Sequence, residues 1–249
     1  MAVAAKVNSQ PLQGTIVGDQ VVRFDTHQRV QHILMLSSFL VLALTGLPLK
    51  YADLGASQWW ISFWGGIETT RLFHRLFAAV MAADCVYHVV YVIYSTSVLK
   101  RPFPYWMVPS VKDVQDMLGD MLYYFRIKET RPRYGRFSYK EKFDYWAIFW
   151  GMPVIGGTGL ILAFPVAASK LAPGWIVPLS LEVHSDEALL AVGWIVLVHW
   201  FFALRSLLSR PVLPLNSAMF SGTVPLERYR HEHPLEYEKI IEQAKGEQP

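Results

Sequence analysis

Long apolar stretches alternate with polar segments along the chain, and this alternation is its dominant pattern. A helix that crosses a bilayer needs about 20 predominantly apolar residues. Four stretches are long enough, at about residues 30–49, 71–97, 143–166 and 182–208. The pattern therefore predicts an all-α integral membrane protein, a bundle of four transmembrane helices occupying residues 29–208.

The remaining segments are polar. Residues 1–28 predict an N-terminal arm and residues 209–249 a C-terminal tail, neither with a hydrophobic span. In the long connection between the second and third stretches, Ser110 suits the N-cap of a helix that runs to about Phe125. Apolar residues recur there at three- and four-residue steps, but the segment is too charged to span. We therefore expect a cytoplasmic-side amphipathic surface helix that lies on the membrane or against the bundle.

Composition removes several classes of protein. Hydrophobic residues make up 53% of the chain and charged residues 17%, below the quarter or so that is typical of soluble domains. The single cysteine, Cys85, excludes a disulfide framework, a thiolate zinc site and a cysteine-ligated iron–sulfur cluster. A Cys-x-x-Cys-His motif for covalent haem attachment is absent. We expect no nucleic-acid partner and no cleaved signal peptide.

Lysine and arginine concentrate on one side of the predicted bundle. The connection after the second span is rich in them and includes Lys100, Arg101, Lys112, Lys128, Arg131, Arg133, Arg136 and Lys140. Further cations flank the arm and the tail, including Arg29, Arg205 and Arg210, while the other two connections hold few. Because cytoplasmic loops are enriched in Lys and Arg, both termini are predicted to be cytoplasmic.

Paired histidines are the candidate chemistry of the spans. His74 and His88 in the second span are 14 positions apart, so the two side chains point within about 40° of one another. His184 and His199 in the fourth span are 15 positions apart, within about 60°. The two spans run in the same direction, so His74 and His184 lie near the outer face and the other two lie deeper. Two matched pairs suit the bis-histidine ligation of two b-type haems.

His32 leaves the inner pairing open. It lies in the first turn of the first span, on the cytoplasmic side, and could face His199 in place of His88. Depth favours His88, because His32 is closer to the membrane edge. We expect His27, His231 and His233 to face solvent or a partner.

Other residues are candidates for supporting roles. Arg75 beside His74 is the candidate contact for a haem propionate. Asp84, four positions before His88, Glu187 near the outer haem and Arg29 at the inner edge are candidates for a quinone or proton site. Gly46 and the glycines of the third span either let helices approach closely or make room for a flat macrocycle. No residue is assigned a catalytic role.

Four segments carry a resemblance to a known family: QRVQHILMLSSFLVLALTGLPLKY, HRLFAAVMAADCVYH, EKFDYWAIFWGMPVIGGTGLILAF and HSDEALLAVGWIVLVHW. Together they resemble the bacterial four-helix di-haem cytochrome b proteins, which include the cytochrome b subunits of formate dehydrogenase and nickel–iron hydrogenase. More closely, they look like the cytochrome b/b6 domain proteins of respiratory complexes. The resemblance covers about residues 23–235.

The resemblance implies His74 with His184 at the outer haem. For the inner haem, the formate dehydrogenase type implies His32 with His199, and the type found in bc complexes implies His88 with His199. The chain lacks the Pro-Glu-Trp-Tyr signature of quinol oxidation in bc complexes, so no Q-cycle is expected.

The expected function is electron transfer across the bacterial inner membrane by two haem b groups. The chain is expected to be a non-autonomous subunit of a quinone-linked oxidoreductase. Its electrons pass between menaquinone or ubiquinone and a partner redox subunit, which is a multihaem cytochrome c, an iron–sulfur protein or a dehydrogenase. Two alternatives stay open. One is a self-contained transmembrane haem b reductase of external small oxidants, and the other is a haem-free helical anchor.

Overall fold

The computed structural model describes residues 13–201 and 217–246, and these residues are mostly helical. They divide into two compact units. The described part of the helical unit comprises residues 30–101 and 147–201, and that of the polar unit comprises residues 13–29, 102–146 and 217–246.

The elements follow one another in chain order. They are β1 (Ile16–Val17), β2 (Gln20–Val22), α1 (Thr26–Lys50), α2 (Gly55–Phe63), α3 (Ile67–Ser97), α4 (Val111–Tyr124), α5 (Tyr139–Ala163), α6 (Pro165–Leu171), α7 (Ile176–Trp194), α8 (Ala218–Ser221), β3 (Thr223–Pro225), α9 (Leu226–Glu232) and α10 (Pro234–Gly246). A short 3₁₀ turn, Tyr105–Met107, precedes α4, and α7 continues directly into a π-helical turn, Ile195–His199.

Within residues 13–201 and 217–246, three helices, α1, α3 and α5, are long and apolar enough to cross a membrane. Each helix begins several residues before the predicted apolar stretch, at Thr26, Ile67 and Tyr139. The polar residues that precede each stretch belong to the same helix. The fourth predicted span lies on α7 and its π-turn. The predicted end of that span, residues 202–208, lies outside the described residues, as do Arg205 and Arg210.

Many of the buried residues of the helical unit are polar, and its surface is largely apolar. On α1 the buried residues are Gln31, Ser38 and Thr45, at seven-residue intervals. Leu72 and Val86 of α3 are among the many exposed apolar side chains. Small polar residues at helix contacts and apolar residues at the surface are the pattern of helices in lipid.

The polar unit joins segments that are far apart in the chain. Strand β2 of the arm pairs antiparallel with β1 and with β3 of the tail, in a register that places Val21 opposite Val224. These two valines and Tyr229 belong to a small apolar core beneath the sheet. The hydropathy pattern predicts the arm and the tail as two separate polar segments. In the structure they fold together.

Asp120 holds the connection between α3 and α5 in place. Its carboxylate is 1% exposed and accepts hydrogen bonds from the Lys140 ammonium at 2.7 Å and the Tyr134 hydroxyl at 2.6 Å. Burial alone would raise the pKa of Asp120, but these hydrogen bonds and the charges of Lys140 and Arg131 outweigh it and lower the pKa to about 2. The buried carboxylate therefore stays charged and ties α4 to the first turn of α5.

One detail of the polar unit differs from what the sequence predicts. His233, expected to face solvent or a partner, is buried, and its Nδ1 lies 2.8 Å from the Gly135 carbonyl oxygen. Arg29, whose place at a quinone or proton site stays a prediction, donates a hydrogen bond to the Phe220 carbonyl oxygen and packs beneath Gly222. Both side chains therefore hold the unit together.

Candidate functional site

The imidazole rings of His74 and His184 face one another within the helical unit. His74 comes from α3 and His184 from α7, and the ring centroids are 6.2 Å apart with the ring planes at 68°. The structure thus brings together the two histidines that the sequence pairs near the outer face.

This separation matches the dimensions of a metal held between two imidazoles. A metal–imidazole bond is about 2.0–2.1 Å long, so two coordinating nitrogens on opposite sides of one metal are about 4 Å apart and their ring centroids about 6 Å apart. The measured 6.2 Å therefore leaves room for one iron between the rings.

The Nδ1 atom of each ring is already occupied by a hydrogen bond. His74 Nδ1 lies 2.9 Å from Thr45 Oγ1 on α1, and His184 Nδ1 lies 2.9 Å from the Ile155 carbonyl oxygen on α5. Metal-ligating histidines usually donate the second ring N–H in this way, which fixes the ring and leaves Nε2 for the metal. Both rings are therefore preset for ligation through Nε2.

Glycines make room for the two rings. A Cβ added at Gly46 of α1 would lie 3.0 Å from His74 Cε1, and one at Gly159 of α5 would lie 3.1 Å from His184 Cε1. Both distances are shorter than ordinary van der Waals contact. These two glycines thus accommodate imidazoles, whereas Gly156 and Gly157 have nothing within 4 Å of an added Cβ.

The second level of the helical unit contains His32, His88 and His199. His32 lies on α1 and His199 in the π-turn that continues α7. His88 Nδ1 lies 2.9 Å from Gln31 Oε1, and its ring is 5.9 Å from that of Phe149. The structure therefore places a hydrogen-bonded imidazole on α3 at this level.

A π-turn explains the unequal histidine spacings. In a π-turn the hydrogen bond runs from residue i to i+5, so it contains one residue more than an α-turn. The turn Ile195–His199 lies between His184 and His199. With that extra residue absorbed, the 15-residue step on α7 advances like the 14-residue step from His74 to His88 on α3.

The set of donor atoms favours haem over a bare metal ion. Among residues 13–201 and 217–246, no group of three or more His, Cys, Asp or Glu side chains is arranged to hold a metal ion. Two facing imidazoles are enough for haem iron, because the macrocycle provides its other ligands.

The remaining candidate residues lie at several places in the helical unit. Asp84 is 3% exposed on α3, and its Oδ1 has no hydrogen-bond partner among the described residues. Glu187 Oε1 lies 3.1 Å from the Cβ position of Gly151, so this carboxylate packs across α5. Arg75 is exposed beside His74. The sequence did not single out Lys50, whose Nζ lies 2.6 Å from Ser185 Oγ and ties α1 to α7.

Thr45 and Thr158 are the site residues that the histidine pattern does not reveal. A signal exists, because the tripeptide Thr-Gly-Leu occurs at 45–47 in the first span and again at 158–160 in the third. Each copy precedes a histidine span in the chain. Gln31 has no such signal apart from its position next to His32.

Comparison with known proteins agrees with this geometry. The family model described as prokaryotic cytochrome b561 matches residues 23–222. Curated relatives from Escherichia coli strains K12, O6:H1 and O157:H7 are each described as "Formate dehydrogenase, cytochrome b556(fdo) subunit". Each is 21% identical over 225 residues, which cover 89% of this chain and 94% of the relative.

Proposed function

Because the chain belongs to the prokaryotic cytochrome b561 family, a family of membrane cytochromes b that transfer electrons, we propose that it is the di-haem b subunit of a respiratory oxidoreductase. It moves electrons across the bacterial inner membrane between quinone and a partner redox subunit. The observation that carries the proposal is the His74–His184 pair, whose 6.2 Å separation and preset Nδ1 hydrogen bonds suit one haem iron.

The outer haem is held by His74 and His184. For the inner haem we assign His199 and His32, which lie in the π-turn that continues α7 and on α1. Likeness to formate dehydrogenase cytochrome b subunits supports the same pair. Haem iron held by two histidines would exchange single electrons and would keep no ligand position open for oxygen. In this proposal the protein positions four histidine ligands, two at each of two depths in the membrane.

His88 is the alternative inner ligand. Its Nδ1 lies 2.9 Å from Gln31 Oε1, a contact through the same ring atom as in the outer pair. In the present assignment this hydrogen-bonded ring instead lines the inner level beside Phe149. Arg75, one residue after His74, is assigned to a propionate of the outer haem.

Membrane topology forms part of the proposal. Helices α1, α3, α5 and α7 are the four spans, and both termini face the cytoplasm, as the Lys and Arg distribution predicts. The polar face of α4 is tied to α5, since Lys142 Nζ lies 2.8 Å from Asp113 Oδ2. The opposite face exposes Val111 and Phe125, at 75% and 72%. An exposed apolar face held beside the start of a span supports a place for α4 on the membrane surface.

The electron partners follow from the relatives. Those proteins are cytochrome b subunits of formate dehydrogenase, which supports a dehydrogenase or iron–sulfur subunit at one end of this chain. Menaquinone or ubiquinone is the lipid-soluble partner at the other end. Asp84 and Glu187, the buried and half-buried acids of the helical unit, are the candidates for accepting or supplying the accompanying protons.

A reduced-minus-oxidised spectrum with a haem count tests the proposal. The purified chain should show the α-band of bis-histidine haem b and hold two haems. His74→Ala and His184→Ala should each reduce the count to one, whereas His27→Ala, at an exposed position outside the spans, should leave two. A chain that binds no haem would overturn the proposal.

The inner pairing is tested by the same count in two further variants. His32→Ala should hold one haem and His88→Ala two, because His88 lines the inner level without ligating in this assignment. The opposite result would assign the inner iron to His88. Co-purification of a dehydrogenase or iron–sulfur subunit with the tagged chain tests the partner, and a chain that purifies alone with full quinol-linked activity would exclude it.

A further inference from the structure

The same local arrangement surrounds both outer histidines. On α1, Thr45 and Gly46 face the His74 ring of α3; on α5, Thr158 and Gly159 face the His184 ring of α7. Two helical hairpins thus present equivalent Thr-Gly pairs to equivalent imidazoles.

The threonines contact the same ring atom in both copies. Thr45 Oγ1 is 2.9 Å from His74 Nδ1, and Thr158 Oγ1 is 3.3 Å from His184 Nδ1. A backbone carbonyl three residues before each threonine is also within reach of the ring, that of Leu42 for His74 and that of Ile155 for His184. Thr45 is the nearer hydroxyl, while His184 has the Ile155 oxygen as its shortest contact, at 2.9 Å.

The single hydroxyl hydrogen of each threonine is already engaged. Thr45 Oγ1 donates to the Val41 carbonyl at 2.7 Å, and Thr158 Oγ1 donates to the Val154 carbonyl at 2.7 Å. A hydroxyl carries one hydrogen and two acceptor positions. Toward the imidazole each oxygen therefore acts as an acceptor, so Nδ1 must carry the proton and Nε2 the free electron pair.

We propose that Thr45 and Thr158 are positioning residues that hold the outer histidines in the Nδ1–H tautomer and lower the midpoint potential of the outer haem. The inference rests on the proposed function, since it requires haem between His74 and His184. An acceptor on Nδ1–H increases the basicity of the ligating imidazole, and a more basic ligand favours the ferric state. Thr45 carries the larger share, because its Oγ1 lies 2.9 Å from His74 Nδ1, whereas Thr158 Oγ1 lies 3.3 Å from His184 Nδ1 and the Ile155 carbonyl oxygen is nearer, at 2.9 Å.

The test is a potentiometric titration of the two haem bands in the purified chain. Thr45→Val removes the hydroxyl at nearly constant shape, and Thr45→Ser keeps it. The matched control is Thr96→Val on α3, whose hydroxyl donates to the Val92 carbonyl 2.9 Å away. We expect two haems in Thr45→Val, with one midpoint potential moved in the positive direction and the other unchanged. Thr45→Ser and Thr96→Val should match the wild type, and Thr158→Val should move the same potential by less.

Haem retained in Thr45→Val with both potentials unchanged would overturn the inference. Loss of the outer haem from Thr45→Val alone would support it, because the hydroxyl would then be needed to orient the ligand. Loss from Thr45→Ser as well would overturn it, since the hydroxyl would not be the determining group. A wild-type chain without haem would instead refute the proposed function, so the two failures are distinguishable.

Discussion

Gly46→Ala is the substitution that most directly tests the packing of the outer histidines. The added Cβ would lie 3.0 Å from His74 Cε1 and 3.5 Å from His74 Nδ1. Ordinary contact begins at 3.4 Å. The ring must therefore move by 0.4 Å (3.4 − 3.0), or α1 and α3 must separate by a similar amount.

Either movement changes the 6.2 Å separation of the His74 and His184 rings, which is just enough for one iron. Overpacking of this kind costs about 1–3 kcal/mol. If that cost falls on the haem-bound state, the outer haem binds about 5- to 150-fold more weakly. The inner haem lies at another level and should keep its affinity, so it serves as an internal reference.

The assay follows the two haem bands while the purified variant is titrated with haem in detergent. Gly157→Ala is the matched control, because it adds the same methyl group to a span at an exposed position with nothing within 4 Å. It also measures the gain in helix propensity, which is about 1 kcal/mol for Gly to Ala. Equal outer-haem affinity in Gly46→Ala, Gly157→Ala and the wild type would refute the packing argument.

Three further outcomes are expected. Leu197 is 75% exposed in the π-turn, and its deletion should restore a regular α-helix and keep both haems. An alanine inserted after Leu197 should instead rotate His199 away from its partner and remove the inner haem. A haem count per chain distinguishes the two outcomes. The Asp120 carboxylate should stabilise the polar unit by about 2–3 kcal/mol above pH 4. Because its folded pKa of about 2 lies below the unfolded value, this stability is lost as pH falls toward 2, and hydrogen exchange of β2 should show the acid transition weakened in Asp120→Asn. Gly222→Ala should destabilise the same unit by about 1–2 kcal/mol or more, because its φ of 86° is left-handed and an added Cβ would lie 2.9 Å from the Phe24 carbonyl oxygen; thermal unfolding measures this cost.

The membrane helices and the outer histidine pair could be predicted from the sequence because both depend on simple periodicity. Apolar runs longer than a bilayer is thick define the spans, and the 14-residue step places His74 and His88 on one face. The π-turn could not be predicted, since an inserted residue leaves the hydropathy of α7 unchanged. With one residue absorbed in this turn, the 15-residue step from His184 to His199 advances like the 14-residue step from His74 to His88.

Contacts between distant polar segments were beyond sequence reasoning. Strands β2 and β3 have three residues each and lie about 200 positions apart, too short for an alternating pattern to be read. Their pairing depends on a shared core of single valines such as Val21 and Val224. Thr45 escaped notice for another reason. Threonine is common at contacts between membrane helices, and its role becomes visible when the distance to His74 is known.

The outer centre draws one imidazole from each half of the chain, and this sets an order for biogenesis. The hairpin that carries His74 is synthesised well before α7, with the polar connection translated between them. That first hairpin has its Thr-Gly pair in place but no opposing ring until residue 184 has been translated. In the proposed assignment, a chain truncated before residue 184 therefore lacks one of the two ligands of the outer haem.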